Sequence, residues 1–81
     1  TGAIVDHDCE IGDFVHIAPA AVLSAGVKVG ENSHVGTGTS VKQYIKIGKN
    51  TIIGVGSVVI KDIGDNVVAC GNPCKKIKYN E

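Results

Sequence analysis

Residues 21–38 read AVLSAG VKVGEN SHVGTG, three groups of six whose third members are Leu23, Val29 and Val35. The same division holds outward in both directions. From Ala3 to Asp62 the sixes are AIVDHD, CEIGDF, VHIAPA, AVLSAG, VKVGEN, SHVGTG, TSVKQY, IKIGKN, TIIGVG and SVVIKD. Their third position is Val5, Ile11, Ile17, Leu23, Val29, Val35, Val41, Ile47, Ile53 and Val59, aliphatic every time. The fourth is glycine at Gly12, Gly30, Gly36, Gly48 and Gly54, and the first is small or β-branched throughout. An amphipathic helix cannot hold an aliphatic stripe at this interval, because its stripe advances with a period of roughly 3.6. A period of six predicts one short strand and one turn per repeat, with the recurring aliphatic pointing inward. Glycine in the fourth position is expected to supply the backbone freedom of a tight corner. Hexapeptide repeats of this kind mark an all-β chain wound as a parallel β-helix.

Composition agrees. Glycine contributes 11 of 81 residues, about twice its usual share of roughly 7%. The apolar fraction is carried by Val, Ile and Ala, with no Trp or Met and a single Phe, which favours short strands over helices. Lysine plus arginine equals aspartate plus glutamate at 8 each, so no long-range field directs the chain to nucleic acid or an anionic membrane. No apolar run approaches the roughly 18 residues of a membrane span, and no secretory signal is present. Cys9, Cys70 and Cys74 follow no paired-ligand spacing, which suits reduced thiols in a cytoplasmic protein. So short a chain buries only about 60% of its unfolded surface, and stability is expected to draw on something besides a monomeric core. The start at Thr1, without Met, reads as a piece of a longer protein.

The repeat closely resembles the left-handed β-helix of the hexapeptide acyltransferases. That resemblance implies triangular coils of 18 residues, three and a third of them in residues 3–62, and a homotrimer with its helices side by side. Residues 1–62 are then the coils and 63–81 a C-terminal tail, with a turn at Gly71-Asn72-Pro73. The Lys75–Lys78 segment is expected to cap the last coil or pack on a neighbour.

Coils of 18 put residues that far apart in sequence one above the other, about 4.8 Å apart. His7 then lies beneath Ala25, Gln43 and Lys61, and His16 beneath His34 and Ile52. All three histidines fall off the inward position. Asp6-His7-Asp8 sets an imidazole between two carboxylates, which fix its tautomer and raise its basicity; a solvated polar corner is the plainer account. Ser24-Ala25-Gly26, one coil above, leaves backbone N–H groups accessible. A base beside an oxyanion site is what acyl transfer needs.

Over nearly its whole length the chain resembles, more narrowly, the C-terminal domain of bacterial sugar O- or N-acetyltransferases, including those acting on sialic acid and on nucleotide-linked 4-amino sugars. The resemblance implies His7 as general base with Asp8 as its orienting carboxylate. It implies His16 beside the acetyl-CoA thioester and Ala25-Gly26 offering a backbone N–H to the thioester carbonyl. It further implies that Gly36-Thr37-Gly38 and Gly54-Val55-Gly56 line the pantetheine groove between subunits, with Thr37, Gly38, Val55 and Gly56 as donor contacts. Ala20 and Ala25 stand where the family often has glycine. The nucleotide-sugar-binding domain that usually precedes the helix has no counterpart in this sequence.

The implied reaction is transfer of acetyl from acetyl-CoA, a co-substrate, to a hydroxyl or amine of a sugar acceptor in bacterial polysaccharide or sialic acid synthesis, with no covalent intermediate and no metal. Cys9, two residues from His7, occupies a first position that suggests packing rather than nucleophilic chemistry. Two readings from other classes stand beside it. One is a non-catalytic trimeric β-helix module. The other is a zinc enzyme of the γ-carbonic anhydrase type, although the closely spaced histidine pair of that family is absent. Neither the acceptor nor O- against N-transfer is legible.

Overall fold

The computed structural model describes residues 2–80; Thr1 and Glu81, the ends of the two expected segments, lie outside the described residues. The chain winds as a left-handed parallel β-helix of triangular section, and every strand but the last two is a residue pair. The first face stacks β1 (Ile4–Val5), β4 (Val22–Leu23), β7 (Ser40–Val41) and β10 (Val58–Val59). The second stacks β2 (Glu10–Ile11), β5 (Lys28–Val29) and β8 (Lys46–Ile47). The third stacks β3 (His16–Ile17), β6 (His34–Val35), β9 (Ile52–Ile53) and β11 (Val67–Cys70), with β12 (Lys75–Tyr79) antiparallel on β11. Register is the expected one: Val5 pairs Leu23, Leu23 pairs Val41, and His16 pairs His34. No helix among the described residues is long and apolar enough to cross a membrane.

The third-position aliphatics fill the prism. Leu23, Val29, Val35, Val41, Ile47, Ile53 and Val59 are all buried. First-position Ser33, Thr39, Thr51 and Ser57 are buried with them, and their hydroxyls donate to carbonyls of Gly48, Gly54, Gly64 and Gly54 at 2.6–3.1 Å. A buried hydroxyl without such a partner would be costly. Cys9, also a first-position residue, donates its thiol to the Ser24 carbonyl at 3.2 Å, a packing contact.

Glycine works differently from the sequence expectation. The corners do require the left-handed backbone region, but at the sixth position: Asp8, Phe14, Ala20, Gly26, Asn32, Gly38, Tyr44, Asn50 and Gly56 all have φ between 52° and 72°. None of the fourth-position glycines does. Their role is close approach. A Cβ on Gly12 would lie 2.8 Å from the Glu31 nitrogen, one on Gly30 2.6 Å from the Lys49 nitrogen, and one on Gly36 2.7 Å from the Ile53 oxygen. The obstacle is in each case the backbone of the next coil. Two columns of fourth positions, Gly12-Gly30-Gly48 and Ala18-Gly36-Gly54, are thereby kept small. The third column, Asp6-Ser24-Lys42-Ile60, follows the first face and carries side chains.

The coil also continues past the last regular six. Ile63 bridges Ile47, and β11 pairs with β9 in the register Ala69 to Ile53, an offset of 16 that completes a fourth turn. The shortening removes one αL corner residue, since Asp62 has no positive φ; its carboxylate instead accepts the Lys46 N–H at 2.9 Å. The Gly71–Cys74 turn then folds over β10: Val58 N–H donates to the Gly71 carbonyl at 2.9 Å and Cys74 N–H to the Val58 carbonyl at 2.8 Å. Val59, Ile63 and Ala69 are buried beneath this roof. At the opposite end the inward residues Val5 and Ile11 are 46% and 40% exposed, at the edge of the described residues. Burial pushes the Cys74 thiol up from its usual range, so alkylation at mildly alkaline pH should spare Cys74 and modify Cys70, measured by peptide mass.

The two glycine roles are separable by mutation. Gly30→Ala forces a methyl into the backbone of the coil above and should cost about 1–3 kcal/mol. Gly38→Ala meets nothing within 4 Å but keeps φ at 71°, and should cost only roughly 1 kcal/mol of left-handed strain. Chemical denaturation of the two variants reads the difference; equal losses would remove the close-approach role assigned to Gly30.

Candidate active site at the first corner

The corner between the first and second faces is where chemistry collects, because its fourth-position column is free of glycine. Ascending it, the turns are Asp6-His7-Asp8, Ser24-Ala25-Gly26 and Lys42-Gln43-Tyr44. Backbone bonds lock each turn to the next. Gly26 N–H donates to the His7 carbonyl at 3.2 Å and Tyr44 N–H to the Ala25 carbonyl at 2.9 Å. His7 thus sits directly below Ala25.

His7 is held by one carboxylate, and it is Asp6. The imidazole Nδ1 lies 2.8 Å from Asp6 Oδ1, and the His7 backbone N–H donates to the same oxygen at 2.7 Å. A carboxylate only accepts, so neutral His7 carries its proton on Nδ1 and turns the Nε2 lone pair outward. The two hydrogen bonds from His7, the backbone one foremost, hold Asp6 below the usual 3.8. Asp8, the expected orienting partner, makes no such bond among the described residues; it is the αL residue of the turn, at φ 62°. The sequence pattern permitted either neighbour, and the turn geometry selects the one that precedes the imidazole. Both His7 and Asp6 are open to solvent, at 74% and 54% side-chain exposure.

The two candidate oxyanion donors also separate. Gly26 N–H is engaged with the His7 carbonyl, whereas Ala25 N–H donates no hydrogen bond among the described residues. One coil above, the Tyr44 ring covers Gly26, a neighbour that sequence reasoning missed. Its signal was present in the 18-residue interval from Gly26 to Tyr44.

The remaining predicted residues lie elsewhere on the prism. His16 is on the outer surface of the third face, its ring stacked on that of His34 at 4.8 Å and 20°. Thr37, Gly38, Val55 and Gly56 form turns at the corner between the third and first faces; Gly38 and Gly56 take φ of 71° and 70°, and Val55 is 77% exposed. In a triangular prism the third face is opposite the first corner. One chain therefore does not bring His7 together with His16 or with the Gly-x-Gly turns. No group of three metal-ligating side chains converges among the described residues. An open groove of about 680 Å³ runs down the charged second face between Glu10, Lys28, Lys46 and Asp65, and none of the predicted site residues lines it.

The β-helix is built on a six-residue repeat, and residues 8–43 match the family described as bacterial transferase hexapeptide (six repeats). Among solved structures the chain is similar to sugar acetyltransferases. A mutant of perosamine N-acetyltransferase from Caulobacter crescentus, solved with CoA and GDP-perosamine, is 46% identical at a TM-score of 0.92 over 94% of this chain. The acetyltransferase domain of PglB from Neisseria gonorrhoeae, solved with acetyl-CoA, is 43% identical at a TM-score of 0.91 over 93% of this chain. A galactoside acetyltransferase solved with CoA is 32% identical at 0.91 over 98% of this chain. The chain spans only 36%, 37% and 50% of those three proteins. Comparison with curated protein sequences finds no match.

The Asp6 contact should outlast mild acidification. A lowered carboxylate pKa means that the contact is complete above 3.8 and is lost as pH falls through the lower folded value. The Asp6 carboxyl chemical shift should therefore move only below that point. His7→Ala removes the side-chain hydrogen bond and should raise that transition towards 3.8, and Asp8→Asn should leave it in place.

Proposed function

We propose that the chain is the β-helix portion of an acetyl-CoA-dependent acetyltransferase acting on a hydroxyl or amine of a sugar or nucleotide-linked sugar. The observation that carries this reading is the vertical pairing on one corner of an oriented imidazole, His7, with an unengaged backbone N–H, that of Ala25. The CoA, acetyl-CoA and GDP-perosamine bound in the relatives support the choice of donor and acceptor class.

His7 Nε2 takes the proton of the acceptor hydroxyl or amine as its oxygen or nitrogen attacks the thioester carbonyl carbon. The oxyanion that forms accepts the Ala25 N–H. Collapse of the tetrahedral species breaks the carbon–sulfur bond, and CoA leaves as a thiolate that recovers the proton from His7. Asp6 keeps the imidazole in the tautomer this sequence needs and stabilises the imidazolium in between; Asp8 beside it adds negative potential to the same turn. General-base help of this kind is worth roughly 10²–10⁴-fold, and one oxyanion donor roughly 10²–10³-fold.

His16, Thr37, Gly38, Val55 and Gly56 serve the donor from another subunit. Their distance around the prism from His7 supports a homotrimer in which the first corner of one chain meets the third face and its Gly-x-Gly turns on the next. Such an enzyme works in the cytoplasm, where acetyl-CoA is made. The coils are one domain and the C-terminal hairpin its closure, with acceptor selection supplied largely by protein outside residues 1–81.

A thiol-release assay with acetyl-CoA, run against nucleotide-linked 4-amino sugars and sialic acid, tests the reading. His7→Ala should lower kcat by roughly 10²-fold or more while CoA binding and subunit assembly persist. Turnover near the parent level in that variant would remove His7 from the role of base. Assembly without any acetyl-CoA binding would make the chain a structural module.

A further inference from the structure

Tyr44 has no place in the site read from sequence, and three observations single it out. It occupies the sixth, αL position of its turn at φ 61°, a conformation that is a genuine outlier for a bulky side chain. Its ring lies on Gly26: a Cβ there would be 2.6 Å from Tyr44 Cε1 and closer still to Cδ1. The residue as a whole is 73% exposed, and its backbone N–H donates to the carbonyl of Ala25, the residue whose own N–H is unengaged among the described residues. Phe14 is equally αL and even more exposed, at 86%. Exposure and backbone alone therefore distinguish nothing; Tyr44 differs in standing on the turn that holds the candidate oxyanion donor.

Order along the corner decides what Tyr44 touches. An acceptor that gives its proton to His7 occupies the level of the first coil. The carbonyl oxygen is held one coil higher, at Ala25. The sulfur and the arm behind it must then leave on the side away from the acceptor, which is upward, across the Gln43-Tyr44 turn. We infer that the exposed part of the Tyr44 ring is the platform on which the pantetheine arm of the thioester donor lies, and that Tyr44 is a donor-binding residue. This rests on the acetyltransferase reading above. An aromatic ring suits such an arm, because it offers apolar contact to the methylene and gem-dimethyl segments at little conformational cost. Gly26 contributes by being bare: any side chain there would displace the ring.

CoA titrated calorimetrically into the chain and its Tyr44 variants tests the assignment. Tyr44→Ala and Tyr44→Gly should weaken CoA binding about tenfold, equivalent to about 1.4 kcal/mol, while Tyr44→Phe should stay within about twofold, since the ring and not the hydroxyl makes the contact. Tyr44→Gly removes an αL side chain, so its melting temperature should not fall although its affinity does. A purely structural tyrosine would lose both together, and that result would overturn the inference. The chain has two tyrosines and no tryptophan. In Tyr79→Phe, Tyr44 is the sole source of tyrosine emission, and CoA should change that emission in step with the calorimetric isotherm. Parent-level affinity in Tyr44→Ala would refute the role of Tyr44 and leave the acetyltransferase reading intact. No CoA binding by the parent chain would overturn both.

Discussion

The vertical hydrogen bond between coils is the constraint on which everything else depends. Each coil lies one strand spacing above the last, so backbone N–H groups reach carbonyls of the neighbouring coil at about 3 Å on all three faces: Ile4 to Ala21, Glu10 to Val27, His16 to Ser33. At two of the three corners that spacing leaves no room for a Cβ at Gly12, Gly30, Gly36 and Gly48, where it would meet the backbone of the next coil. Fourth-position glycine is the consequence. The same spacing aligns the third-position aliphatics into continuous columns, and it sets the buried hydroxyls of Ser33, Thr39 and Thr51 against carbonyls of the next coil.

The candidate site follows from the one corner where that constraint is relaxed. There the fourth position bears Asp6, Ser24 and Lys42 instead of glycine, so polar side chains line an edge whose backbone is as rigid as the rest. Rigidity matters to the proposed chemistry. The Asp6–His7 pair and the Ala25 N–H belong to turns that are hydrogen-bonded to each other, so the backbone positions of base and donor are fixed relative to one another. Preorganisation of this kind is where the larger part of a catalytic effect usually resides. The cost is one αL residue per corner, met by Gly26 in one turn and borne by Asp8 and Tyr44 in the others.

Much of this was legible in the chain. Ten aliphatic third positions announced the helix, and the interval of 18 gave the vertical neighbours, including His16 over His34 and Ala25 over His7. The purpose of glycine was misread, since a sequence shows that a residue is small without showing whether φ or proximity requires it. The fourth turn was undercounted for a related reason: deleting two residues breaks the printed period, yet Ile63 and Ala69 still pair with Ile47 and Ile53. Which carboxylate holds His7 was equally invisible, because Asp6 and Asp8 flank it symmetrically in sequence and only the turn makes them unequal.

By itself, then, the sequence determined the class of fold, the inward residues, and which side chains share a column, because a strict repeat converts numbering into position. Tertiary structure decided direction: which N–H of Ala25 and Gly26 remains unengaged, which aspartate grips the imidazole, and how far around the prism His16 stands from His7. Those are matters of torsion angle and backbone approach between coils. Residues 18 apart record that they are neighbours, and only the folded chain records how they face one another.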